Sequence, residues 1–375
     1  MKKTLIVLTV FAIVTCGCAM NGSAVEKSNS RQYLGITLPK GSEFTPIVVE
    51  SSKERTVIAR VAHVDNRRDI QVLEDRGHGW RPLGVNGLGI TGVDGNFLMS
   101  AIIGKDGRIW VLARYTRPSN PDRGETHYLY VYDGSRWQIA GPKNGAPSGI
   151  NADRGLGFLD DRVAHVYSDY DVKNMREKPY LRYLDGNRWK TAAAEKLLRH
   201  TPGRTFWTGS DLWHLVCSKT KDSTILDAYI VSGAGADGIS GPHRLVEVAG
   251  NNRHLSAFAA SPKGDLAVLL SQEGPTEWFP YMLRGTGRSR WTEPLPLPSL
   301  PVKYGIRGFV WSPAGELMLL HQPSFHTVVV HVLREGEWTK IAQGEQAGPG
   351  QIFSPRATFS ADGQPIVTWE IFHSF

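Results

Sequence analysis

Short apolar runs, each broken by a polar turn and resumed beyond it, recur along the whole chain. They read IVVESSKERTVIARV, MSAIIGKDGRIWVLA, GLGFLDDRVAHVY, TFWTGSDLWHLV, AFAASPKGDLAVLL, GFVWSPAGELMLL and ATFSADGQPIVTW, about 50 residues apart. Apolar and polar positions alternate around Asp-Gly or Pro-x-Gly turns, whose backbone preferences fold a chain back on itself. The pattern predicts seven β-hairpins.

A second element lies between them: a Gly-containing turn, a Trp and a short strand, as in YDGSRWQIA, LDGNRWKTA and REGEWTKIA. The Trp residues are Trp80, Trp137, Trp189, Trp291 and Trp338, with one interval twice the others; GISGPHRLVEV fills that gap without a Trp. Third strands such as HYLYVYDG and PYLRYLDG precede these turns. Four antiparallel strands per period predict one blade of a β-propeller. The expected fold is therefore all-β, a seven-bladed propeller, with six or eight blades as alternatives. The Trp residues are expected to pack between blades and not to form a ligand platform.

The last hairpin ends with the chain, whereas RQYLGITLPKG precedes the first. Pairing this N-terminal strand with the C-terminal blade is expected to close the ring and leave no open edge. The expected single propeller domain spans 31–375. Before it, Lys2 and Lys3 and the apolar run Leu5 to Val14 have the layout of a secretory signal, too short to span a bilayer. Two processing routes fit: lipidation at Cys18, giving a signal of 1–18 and a tether of 19–30, or cleavage after Ala24. The expected location is outside the cytoplasm, as a periplasmic or outer-membrane lipoprotein or a secreted protein. Membrane contact is expected only through such a lipid.

With three cysteines in 375 residues, the fold is not a disulfide scaffold. Cys217 lies in the apolar run LWHLVCSKT and reads as an inert core thiol. The net charge of +7 is spread along the chain without a basic arm, which argues against nucleic acid. In an exported protein it points to acidic glycans or an envelope protein as partner. A monomer without cofactor is expected.

SPKGDLAV, SPAGELML and SADGQPIV occupy the place of the Ser-x-Asp-x-Gly-x-x-Trp box, so the chain resembles bacterial propellers of the sialidase-like, Asp-box class. That resemblance covers most of the chain as architecture. The Arg-Ile-Pro motif and the catalytic set of sialidases are not visible, so it implies a fold and no reaction.

Propeller ligands gather where loops converge at one mouth of the channel. Arg154, Arg204, Arg307 and Arg356 begin equivalent innermost strands, with Arg253 in a shifted position; a planar guanidinium fork suits carboxylate or sulfate. Each could equally tie down its own loop. The loops between second and third strands add Arg114, Tyr115, Arg117, Arg123 and His127, then Tyr167, Asp169, Tyr170, Asp171, Lys173 and Arg176, then Glu277, Trp278 and Tyr281, then His321 and His326. The first functional expectation is a non-catalytic propeller binding an acidic glycan or partner at the cell envelope. The ligand-binding set for it is Arg154, Arg204, Arg307, Arg356, Arg114, Tyr115 and Trp278. The alternative is a polysaccharide lyase acting on polyuronate, with Arg154 or Arg204 neutralising the carboxylate and His127, His165, Tyr167 or Tyr170 moving protons. Glycoside hydrolysis would draw on Asp169, Asp171 and Glu277. No metal cluster is legible: His63, His165 and His214 fall in strands of separate blades.

Overall fold

The computed structural model describes Val7–Leu8 and, between residues 48 and 372, the strands and most of their turns; residues 9–47, 89–95, 116–125, 172–175, 273–280, 292–304 and 346–350 lie outside it, with some shorter stretches. Five sheets are antiparallel meanders of four consecutive strands. The first holds β2 (Val48–Ser51), β3 (Thr56–Val64), β4 (Arg67–Asp75) and β5 (Arg81–Pro82). The next of these holds β11 (Asn151–Leu159), β12 (Arg162–Asp171), β13 (Arg176–Asp185) and β14 (Arg188–Thr191). It is followed by β15 (Arg204–Thr208), β16 (Asp211–Lys219), β17 (Ser223–Val231) and β18 (Ile239–Ala249). Then come β19 (Arg253–Ala260), β20 (Asp265–Gln272), β21 (Tyr281–Thr286) and β22 (Arg290–Trp291). The last is β23 (Ile306–Trp311), β24 (Leu317–Ser324), β25 (Thr327–Arg334) and β26 (Glu337–Glu345).

Two further sheets differ. Between the first and second meanders lie β6 (Asn96–Ile103), β7 (Ile109–Tyr115), β8 (Thr126–Tyr132) and β9 (Trp137–Ala140), with β10 (Ala146–Pro147) sharing the outer edge of β8. At the end of the chain β27 (Gln351–Phe359) pairs with β28 (Pro365–Phe372), and β1 (Val7–Leu8) pairs with β28. The strand expected to close the ring, residues 31–41, lies outside the described residues. The pairing seen at that edge is instead Val7 opposite Phe372 and Leu8 opposite Ile371, within the expected signal segment.

Leading strands of successive sheets lie side by side: β2 by β6, β6 by β11, β11 by β15, β19 by β23, β23 by β27, and β27 by β2. The Phe206 and Phe258 rings, 4.4 Å apart, join β15 to β19. Meanders stacked in this way are blades, and the described residues form an all-β propeller with five four-stranded blades.

The core is correspondingly divided. Among the described residues six apolar clusters each span two successive sheets, such as Val57, Ile70 and Val72 with Ala101, Ile109 and Val111. Middle strands are buried on both faces, so β24 runs Leu317 to Leu320 without a polar residue. A six-residue helix, α1 (Glu195–His200), joins two blades and was not foreseen; Ala-Ala-Ala-Glu-Lys-Leu-Leu supplies its propensity.

Among the described side chains, Trp137, Trp189 and Trp338 of the repeat pack between sheets, each against the blade before it. Trp137 Nε1 donates to the Leu83 carbonyl at 2.9 Å. Its indole fills the space above Gly84, where an added Cβ would stand 2.8 Å from Trp137 Cδ1. Gly141 occupies the same place in the next blade, beside Leu184 and Trp189. Both glycines have positive φ, +78° and +90°. The third copy of the Trp-x-x-x-Gly pattern has Ala193 in place of glycine, and the blade that follows is the one without the Trp.

Candidate functional site

His127, His165 and Tyr167 were expected in separate loops or strands; the fold gathers them around Arg182. His165 and Tyr167 project from β12 opposite Arg182 and Tyr180 of β13. His127 reaches across from the start of β8 in the preceding sheet, where its backbone faces Arg114 of β7. Arg182 Nη2 lies 3.2 Å from His165 Nδ1 and 3.4 Å from His127 Nδ1. A guanidinium only donates, so both Nδ1 atoms act as acceptors and both imidazoles carry their proton on Nε2. The three polar residues are buried, with exposures of 0% for His165, 4% for His127 and 7% for Arg182.

Aromatic faces complete the cage. Arg182 Cζ sits 4.6 Å over the Tyr167 ring and 4.7 Å over Trp189, an arrangement that favours the cation in a desolvated position. Tyr167 stacks on His165 at 5.3 Å and on Tyr180 at 4.9 Å. Tyr180 in turn lies under Arg199 of α1, which pairs with Glu195 at 2.8 Å. Burial pushes the Tyr167 phenol above its usual value, against an opposing pull from Arg182, so it keeps its proton through the neutral range. Tyr167 is only partly buried.

The leading strands show a second shared feature. β6, β11, β19, β23 and β27 each shift register near their start, a β-bulge that re-aims side chains. In β11 the shift takes in Arg154 and Gly155, and it is tied down from both neighbours. Ser100 Oγ accepts from Leu156 N at 3.2 Å, and Trp207 Nε1 donates to the Gly155 carbonyl at 3.3 Å. Arg307 occupies the shift in β23, and Arg356 ends the one in β27.

Of the arginines proposed from sequence, Arg204 and Arg307 are exposed at the start of their strands, and Arg253 is buried. Arg154, Arg356, Arg114, Tyr115 and Tyr170 lie in strands, but their side chains fall outside the described residues, as do those of Asp169 and Asp171. Arg117, Arg123, Lys173, Glu277, Trp278 and Cys18 lie outside altogether. His214 is buried and bound to the Thr201 carbonyl at 2.7 Å, as a satisfied core histidine is. Cys217 is half-buried, and burial raises its thiol pKa, consistent with an unreactive group. Among the described residues no group of His, Cys, Asp or Glu is arranged to hold a metal. Nor is any helix among them long and apolar enough to cross a membrane.

Arg182 itself escaped the sequence reading. It occupies the position in PYLRYLDG that Tyr130 holds in HYLYVYDG. A charge in the middle of an apolar third strand was the available signal.

No family model matches the chain, and no curated protein matches it. Solved structures do. A polysaccharide lyase of family PL25, an ulvan lyase bound to -[GlcA(1-4)Rha3S]-, is 10% identical, with 89% of this chain and 94% of that chain covered and a TM-score of 0.45. The β-propeller domain of the Trilobed protease from Pyrococcus furiosus is 13% identical over 87% and 95%, with a TM-score of 0.44. A protein of unknown function from Dyadobacter fermentans is 11% identical over 88% and 94%, with a TM-score of 0.39. None of these likenesses bears on substrate or chemistry. What the described residues define is an all-β propeller with an arginine, two histidines and a tyrosine enclosed between two of its sheets.

Proposed function

We propose that this chain is an exported, carbohydrate-active propeller that cleaves an acidic polysaccharide by β-elimination at the Arg182 cluster. The observation that carries the reading is Arg182 held within hydrogen-bonding reach of both His127 and His165, with the partly buried Tyr167 stacked on His165. Elimination from a uronate requires a cation to neutralise the carboxylate, a base for the adjacent C5 proton and an acid for the departing O4. Arg182 supplies the first. When a carboxylate takes up its N–H donors, the Nδ1 lone pair of a neighbouring histidine is released to accept the C5 proton. The C5–H electron pair becomes the C4–C5 double bond as the C4–O4 bond breaks, and the protonated Tyr167 phenol donates to O4. Burial, which raises its pKa, keeps that phenol protonated and able to donate.

The leading-strand contacts, including β27 beside β2, support a closed ring of seven blades. In that ring the shared bulges and exposed Arg204 and Arg307 face one mouth, and an acidic chain lying there is the substrate. The signal-like N-terminus supports export, with Cys18 as lipid anchor or Ala24 as the cleavage point.

Purified protein incubated with alginate, pectate, ulvan and heparin is expected to generate the ultraviolet band of an unsaturated uronate from at least one. Silence with all four, together with salt-sensitive retention on an acidic glycan column, would replace the lyase with a non-catalytic binder.

A further inference from the structure

A second constellation lies in the last complete blade, away from the Arg182 cluster. Arg307, at the bulge of β23, is exposed, yet its guanidinium is not left to wander. Its Nε donates at 2.8 Å to Oε1 of Gln322, a side chain with 0% exposure. Gln322 is fixed in turn, since its Nε2 donates to the Ile352 carbonyl of β27 at 2.9 Å and its backbone N–H to the Gly305 carbonyl at 3.2 Å. Ile352 N–H then donates to the Phe325 carbonyl at 2.5 Å. One residue of the next sheet thus ties the arginine-bearing strand to the β24–β25 turn. That turn is stiffened by Ser324 Oγ, 3.0 Å from Thr327 Oγ1 and 3.1 Å from His326 N. At its tip Phe325 is 41% exposed, and the other large hydrophobic found exposed among the described residues is Ile139, on an outermost strand.

This is unusual expenditure for a surface arginine and a surface phenylalanine. Anchoring Arg307 through Nε keeps the two Nη groups out of that bond, and their fork matches a carboxylate or sulfate in bidentate fashion. The turn that carries Phe325 is held through its backbone, and an exposed aromatic ring there offers the apolar face of a sugar a stacking surface. No acidic side chain among the described residues pairs with Arg307.

We propose that Arg307 and Phe325 form a binding subsite for an acidic sugar, carboxylated or sulfated, with Gln322 as the positioning residue. The subsite shares with the proposed function the choice of an acidic glycan, and it stands whether or not the chain is a lyase. In the proposed ring it lies across the mouth from the Arg182 cluster, where it would hold a remote residue of the same chain.

Calorimetric titration with tetragalacturonate and with a heparin-derived tetrasaccharide at low salt tests this, with maltotetraose as the neutral control. Wild-type protein should bind at least one acidic probe and not the neutral one. Arg307→Gln should weaken that binding about 10-fold or more, and Phe325→Ala about 3- to 10-fold. Phe325→Ala alters an exposed side chain and should melt as wild type does, whereas Arg307→Gln takes the donor from the buried Gln322 Oε1 and should melt somewhat lower, so binding is compared well below both melting temperatures. Where turnover is seen, both should raise KM and leave kcat in place. No binding by wild type, or wild-type binding by both variants, overturns the subsite. Arg307-dependent binding without any unsaturated product removes the lyase and keeps the subsite. Turnover with KM unmoved in both variants does the reverse.

Discussion

Arg182 and His165 are direct cross-strand partners, and the guanidinium Nη2 stands 3.2 Å from the imidazole Nδ1 between two buried side chains. Low local dielectric strengthens that contact and makes either group costly to leave alone. Arg182→Lys keeps the charge but loses the fork; on the lyase reading it should lower kcat/KM by about 10²-fold or more. Arg182→Met should remove turnover and also cost about 1–3 kcal/mol, because two buried imidazole nitrogens lose their donor. His165→Gln, which can still accept from Arg182, should lose about 10²- to 10⁴-fold in rate with a smaller fall in stability. Initial rates beside urea unfolding curves check all three. A purely structural network predicts loss of stability in step with loss of turnover.

Tyr167 allows a sharper distinction. Tyr167→Phe preserves the stacking on His165 and Tyr180 and removes only the hydroxyl. If the phenol protonates the leaving oxygen, kcat should drop about 10²-fold or more while the melting temperature stays nearly constant. Substrates with a better leaving group at O4 should recover part of the rate. An unchanged kcat would take Tyr167 out of the chemistry.

Glycines that receive the Trp of the following blade set a stability test. At Gly84 a methyl group meets both a positive φ of +78° and Trp137 Cδ1 at 2.8 Å. Gly84→Ala should destabilise by about 1–3 kcal/mol. Replacing Trp137 by Leu as well should return only the steric part, so the double variant falls short of additivity. Gly157→Ala should cost at least as much, since its Cβ would stand 2.0 Å from Trp207 Cδ2. Urea midpoints of the single and double variants report both effects.

The same residues show what the sequence disclosed. The hairpins and the Trp-bearing outer strands were legible because turn chemistry and period-two patterning are local, and all seven hairpins pair antiparallel. His127, His165 and Tyr167 were legible as residue types but not as neighbours: 38 positions separate the two histidines, and their meeting depends on how one blade stacks on the next. Arg182 was hidden more deeply. In a strand buried on both faces no alternation separates a functional inward position from a packing one. Gln322 was hidden for the same reason, since only the tertiary hydrogen bonds to Arg307 and Ile352 give it meaning. The short helix α1 lay within one of the linkers between periods, where propensity alone decides.

Acid should unfold this protein partly through His331. The residue sits in β25 opposite Leu319 and Lys340, and its neighbours include His321 on the adjacent strand. Burial first, then the charges of His321 and Lys340, lower its pKa from 6.5 to about 4. Above pH 6.5 the imidazole is neutral in both folded and unfolded chains, and it contributes no pH dependence. Between pH 6.5 and 4 the unfolded chain takes up a proton that the folded one refuses, so stability falls as pH falls. Below pH 4 both forms are protonated and this loss stops growing. Its full size is about 2 kcal/mol, after allowance for partial access of solvent. His331→Leu should therefore flatten the urea midpoint between pH 6.5 and 4 relative to wild type, while leaving the carboxylate-driven fall at lower pH. Parallel curves for the two proteins would assign the acid sensitivity to other groups.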